Sequence, residues 1–105
     1  MQFFIDTANL GEIRAAMDMG LVDGVTTNPS LMARESADWR DIAGESCRMV
    51  PGPVSLEVIA LDAEGMVEEA RDLMQYGPNV VVKVPMTGEG LKAVRILRSM
   101  DIDTN

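Results

Sequence analysis

The 105-residue sequence has no histidine and a single cysteine. Without histidine, the side chain that most often activates a serine or cysteine nucleophile and most often ligates zinc is missing, which sets triad hydrolysis and the common zinc sites aside. One cysteine allows no disulfide within the chain and suits a reducing compartment. Cys47 falls among Ile42, Ala43 and Val50 on an amphipathic pattern, where a thiol serves as a small core residue. Basic residues are also few. Nine Lys and Arg against 17 Asp and Glu give a formal net charge of -8, the opposite of the clustered positive charge that nucleic acid or an anionic membrane surface selects. No apolar run approaches the roughly 20 residues of a membrane span, and Phe3-Phe4-Ile5 before Asp6 is too short for a signal peptide. These absences predict a cytoplasmic protein with no nucleic-acid partner and no membrane partner.

What is present has the composition of one globular domain, 47% hydrophobic and 25% charged. Nine methionines read as adaptable filler for helix surfaces in the core. The most informative stretch is Val80-Val81-Val82-Lys83-Val84-Pro85. Alternation puts Val80, Val82 and Val84 on one face and Val81 with Lys83 on the other. A strand apolar on both faces predicts a covered parallel sheet, in which Lys83 is an unusual residue. Removing an ammonium from water lowers its pKa and leaves a nucleophilic amine able to condense with a carbonyl. The plainer account is a lysine that snorkels to the strand end or pairs with a carboxylate.

The rest of the chain repeats one rhythm. Residues 2 to 5 predict a strand ending at Asp6, followed by a helix capped by Thr7 or Asn9 and stopped at Gly20. Leu21 to Val25 predicts a second strand, running into the polar turn Thr26-Thr27-Asn28-Pro29-Ser30. A helix capped by Ser36 or Asp38 carries Trp39, Ile42, Ala43 and Cys47 and gives way at Pro51-Gly52-Pro53. Val54 to Ala60 predicts a third strand, with Leu56 and Val58 on one face and Ser55 and Glu57 on the other. Asp62 opens a helix with Met66, Val67, Ala70, Leu73 and Met74 at helical spacing, ended by Gly77-Pro78. After the lysine strand, Met86 to Gly90 leads into Leu91, Val94, Ile96 and Leu97, and Ile102 to Asn105 predicts the start of a fifth strand.

Strand and helix thus alternate four times, and such crossovers are right-handed and give a parallel α/β sheet. A five-stranded doubly wound domain fits the length. A (β/α)8 barrel needs about 200 to 250 residues, so on that reading this is the N-terminal half of a TIM barrel, a single incomplete domain over 1–105 stopping at the start of strand 5. In both architectures ligands gather at the carboxyl ends of the strands. There the sequence places Asp6, Thr26, Asn28, Glu57, Lys83 and Asn105. Singly, Asp6 can cap a helix, Thr26 and Asn28 can shape a turn, and Glu57 can neutralise Lys83. Together they supply what Schiff-base chemistry requires: an amine, an acid/base group for the hydroxyl proton, a second carboxylate for dehydration, and amides for sugar hydroxyls.

The stretches Phe4-Ile5-Asp6-Thr7-Ala8-Asn9, Asp23-Gly24-Val25-Thr26-Thr27-Asn28-Pro29-Ser30 and Val82-Lys83-Val84-Pro85 with Thr87-Gly88-Glu89-Gly90 resemble the small transaldolases and the related fructose-6-phosphate aldolases, over essentially the whole chain. The resemblance implies a class I aldolase barrel without metal or organic cofactor, acting on sugar phosphates in the pentose phosphate pathway and homo-oligomeric at full length. It implies Lys83 as the Schiff-base residue, Asp6 for the proton transfers of aldol cleavage, and Glu57, helped by Thr26 and a water, for proton shuttling. Asn28 and Asn105 would hold the dihydroxyacetone unit. Transaldolases resemble this sequence in having Glu at position 57, where the aldolases carry Gln. The family's serine and arginine groups for the substrate phosphate fall beyond Asn105, so the 105 residues alone are expected to be inactive or very weak.

Two other classes are alternatives, the first of which fits the residues poorly. A receiver-like phospho-signalling module also puts acids at strand ends and a lysine before a proline, but wants an aspartate on the third strand and an acidic pair on the first for magnesium. A non-enzymatic half-barrel whose only behaviour is association follows from the open edges that four strands leave.

Overall fold

The computed structural model describes residues 1–105. The elements are β1 (Phe4–Asp6), α1 (Leu10–Asp18), β2 (Gly24–Thr26), α2 (Pro29–Ala33), α3 (Trp39–Met49), β3 (Val54–Glu57), α4 (Ala63–Leu73), a 3-10 turn (Met74–Tyr76), β4 (Val80–Lys83) and α5 (Gly88–Ser99). Every α-helix begins on a side-chain cap. Asn9, Asn28, Asp38, Asp62 and Thr87 each accept a backbone N–H of the first turn, which satisfies donors that have no partner within the helix.

Several boundaries differ from those the sequence predicts. Of the two caps offered for each helix, Asn9 is the one used by α1 and Asp38 the one used by α3. The turn after β2 contains a helix of its own, because Pro29 occupies the first helical position and Asn28 caps it. α5 starts at Gly88, ahead of its first apolar residue, because Thr87 is its cap. The third strand ends at Glu57 instead of Ala60. Beyond it the Ile59 N–H leaves the ladder and donates to Glu69 Oε2 at 2.8 Å. The predicted start of a fifth strand is present: Thr104 forms a parallel bridge to Val82.

The four strands lie in the order β1-β2-β3-β4, all parallel. A doubly wound sheet reverses direction at a switch point and places helices on both faces. Here each strand pairs with its successor, so right-handed crossovers put every helix on one face. That is the architecture of half a (β/α)8 barrel.

On the helical face Val25, Val54, Leu56, Val80 and Val82 pack against Ile13, Ala43, Met66, Ala70 and Leu97 in one buried cluster. The opposite face has no covering layer, which corrects the expectation of a β4 buried on both sides. Val80 and Val82 are 2% and 0% exposed, while Val81 and Lys83, pointing the other way, are only half-buried. No helix is long and apolar enough to cross a membrane.

One side chain secures the lower end of the sheet. Asn79 Nδ2 donates to the carbonyls of Cys47, Val50 and Gly52 at 3.2, 2.9 and 2.9 Å, tying the end of α3 and the turn into β3 to the start of β4.

Candidate active site

The candidate site lies on the uncovered face at the carboxyl ends of the strands. Parallel pairing brings Glu57 opposite Lys83 in register. Lys83 Nζ stands 3.9 Å from Glu57 Oε2, with the two side chains 35% and 27% exposed. That distance makes an ion pair without a direct hydrogen bond. The amine is therefore partly screened rather than sealed, because no opposing sheet layer closes over it.

A second pair sits on the neighbouring strands. Asp6 and Thr26 are register partners, and Thr26 Oγ1 donates to Asp6 Oδ1 at 3.0 Å. The resemblance pairs Thr26 with Glu57; the structure brings its hydroxyl to Asp6. Asn28 stands at the start of α2, and its Oδ1 accepts the Leu31 N–H at 2.9 Å. Only its amide N–H groups are left to meet a ligand.

Asn105 runs beside β4. Its N–H donates to the Val82 carbonyl and its carbonyl accepts from the Val84 N–H, both at 2.9 Å. Its side chain turns across β4, and Nδ2 donates to Ser55 Oγ at 3.2 Å. Ser55 is 2% exposed and was not singled out by sequence reasoning. The signal was present, since alternation puts Ser55 on the face of Glu57 two residues along, but a lone serine in a strand has no pattern of its own.

A cavity of about 590 Å³ adjoins these residues. It is lined by residues of α2, α3, α4 and the end of β3, among them Met32, Trp39, Leu73, Asn28 and Glu57. Lys83 is not among its lining residues. The strand ends, which hold the only amine of the constellation, define the candidate site; no lysine lines the cavity.

Fold and site together define a parallel α/β half-barrel with a lysine and a carboxylate facing one another at adjacent strand ends. The family model described as "Transaldolase/Fructose-6-phosphate aldolase" matches residues 3–105. Proteins named "Probable transaldolase" from Desulforapulum autotrophicum and Desulfotalea psychrophila are each 61% identical over the whole chain, which covers 49% of each of them. One from Caldicellulosiruptor saccharolyticus is 56% identical, again over the whole chain and 48% of its own length. The chain belongs to the transaldolase/fructose-6-phosphate aldolase family and spans about half the length of the curated relatives it matches.

Proposed function

We propose that the protein of which these residues form the N-terminal half-barrel is a transaldolase, moving a dihydroxyacetone unit between sugar phosphates through a Schiff base on Lys83, as in the pentose phosphate pathway. The observation that carries this reading is the register pairing of Lys83 with Glu57 at the carboxyl ends of β3 and β4.

The amine of Lys83 adds to the ketose C2 carbonyl, and Glu57 gives and takes the protons needed for water to leave the carbinolamine. Asp6 then accepts the C4 hydroxyl proton as the C3–C4 bond breaks. The bonding electrons pass into the iminium to form an enamine, and the aldehyde departs. The retained enamine adds through C3 to an acceptor aldehyde, which takes a proton back at its oxygen, and water releases the product from Lys83. Asn28 and Asn105 hold the hydroxyls of the three-carbon unit.

Asp6 stands two residues below Glu57 and Lys83 along the ladder, since Asp6 pairs with Thr26 and Thr26 with Ser55. This favours the reading. In a barrel of eight strands and shear eight, groups at one height advance about one residue per strand. From β1 to β3 that advance is about two residues, so Asp6 and Glu57 fall at one level with Lys83 within about one residue of it. Glu rather than Gln at position 57 favours transfer over simple aldol cleavage.

The test is borohydride trapping. The chain is incubated with dihydroxyacetone or fructose 6-phosphate, reduced, and its intact mass measured beside Lys83→Ala. A Lys83-dependent adduct supports the reading; its absence from both this chain and a barrel completed by the other half sinks it. Phosphate binding falls to that other half, so transfer by the 105 residues alone is expected to be weak or absent.

A further inference from the structure

We propose that Ser55 is a positioning residue for Asn105, and that the pair forms a fixed amide floor under the Lys83 amine that selects a donor by the hydroxyl beside its carbonyl. The inference rests on the Schiff-base reading for what the amide meets, but not for how the amide is held.

Asn105 is anchored to both sides of Lys83 by its backbone, through Val82 O and Val84 N. Ser55 is the register partner of Val81, one strand further in. To donate to Ser55 Oγ, the Asn105 side chain has to cross the inner face of β4 between Val81 and Lys83. An asparagine amide has two N–H donors and one carbonyl acceptor, and a free one can turn over. With one N–H held by Ser55, the amide plane and its orientation are set. Its carbonyl oxygen and remaining N–H are then in place beside the lysine that carries the imine.

Burial sharpens the point. Ser55 is 2% exposed on a strand whose other buried residues are Val54 and Leu56, and a hydroxyl there costs desolvation unless it is bonded. Its Oγ meets Asn105 rather than a backbone carbonyl of its own strand. Catalytic proton transfer remains with Glu57 and Asp6. What Ser55 supplies is the geometry of a contact on the donor.

Two readings of the same variants test this. Side-chain amide exchange, followed by ¹H–¹⁵N spectra, is expected to show Asn105 protected in the wild type. Protection should fall at least about tenfold in Ser55→Ala and be retained in Ser55→Thr, which keeps the hydroxyl. In borohydride trapping, Ser55→Ala is expected to raise the half-saturating dihydroxyacetone concentration about tenfold. Its limiting rate should stay within about twofold and its pH profile unchanged, with Ser55→Thr restoring most of the loss. An Asn105 amide equally protected in Ser55→Ala overturns the positioning. Unchanged half-saturation with a released amide overturns the selection of donor while leaving Lys83 its role. No adduct in the wild type overturns the Schiff-base reading and the donor selection with it, and the exchange measurement still decides the pairing.

Discussion

Glu57 and Lys83 are register partners on adjacent parallel strands, and their charged atoms stand 3.9 Å apart on the uncovered face of the sheet. A carboxylate so placed reaches the lysine nitrogen and any hydroxyl forming on the carbon bound to it. Glu57→Gln keeps the shape and removes the proton acceptor. Borohydride trapping of dihydroxyacetone is expected to slow by about 10²-fold or more, the usual worth of general acid–base help. Trapping at the wild-type rate would remove Glu57 from the proton path.

Asn79 joins three carbonyls of two segments through one amide nitrogen. Asn79→Ala leaves those carbonyls without their donor in a partly buried position, at a cost of about 1–3 kcal/mol. The urea midpoint should fall accordingly. Asn79→Asp at neutral pH should cost at least as much, because a carboxylate would face the same carbonyls. A midpoint unmoved in the alanine variant would mean that water replaces the clamp.

Two glycines separate close approach from mere smallness. A Cβ on Gly90 would stand 1.8 Å from the Pro85 carbonyl oxygen, a backbone atom, whereas on Gly44 the nearest atom is Arg48 Nη1 at 3.7 Å. Gly90→Ala therefore has to move the loop between β4 and α5 and should cost more than about 2 kcal/mol. Gly44→Ala, in the interior of α3, should gain up to about 1 kcal/mol from helix propensity. Thermal melts of the two variants should move in opposite directions.

Burial pushes the Cys47 thiol up to about 11 from 9.0, against the smaller opposing effect of Arg48. At pH 8 the folded chain then holds about a hundredfold less thiolate than the unfolded one. Labelling by a disulfide reagent should be slow in buffer and fast in urea. The sign for stability follows from linkage. The unfolded chain releases this proton first, so the contribution is intact below about pH 9 and is lost as pH rises towards 11. The wild type should lose more stability than Cys47→Ala between those values; parallel losses would show that the thiol is not the group responsible.

Local signals determined much of this protein. Alternation marked the strands at Leu56 and Val82, short apolar stretches those at Ile5 and Val25, and caps such as Asp62 and breaks such as Gly77-Pro78 marked the helices. Both act over a few residues, within the reach of backbone sterics and short hydrogen bonds. Lys83 and Glu57 were legible as polar residues on otherwise apolar strands for the same reason. Tertiary structure decided the rest. Sequential strand order chose a half-barrel over a doubly wound sheet, and with it an inner face left uncovered. It brought Thr26 to Asp6 across 20 residues and Asn105 to Ser55 across 50. Those contacts depend on which strands become neighbours and in what register, a property of the whole sheet that no window of sequence contains.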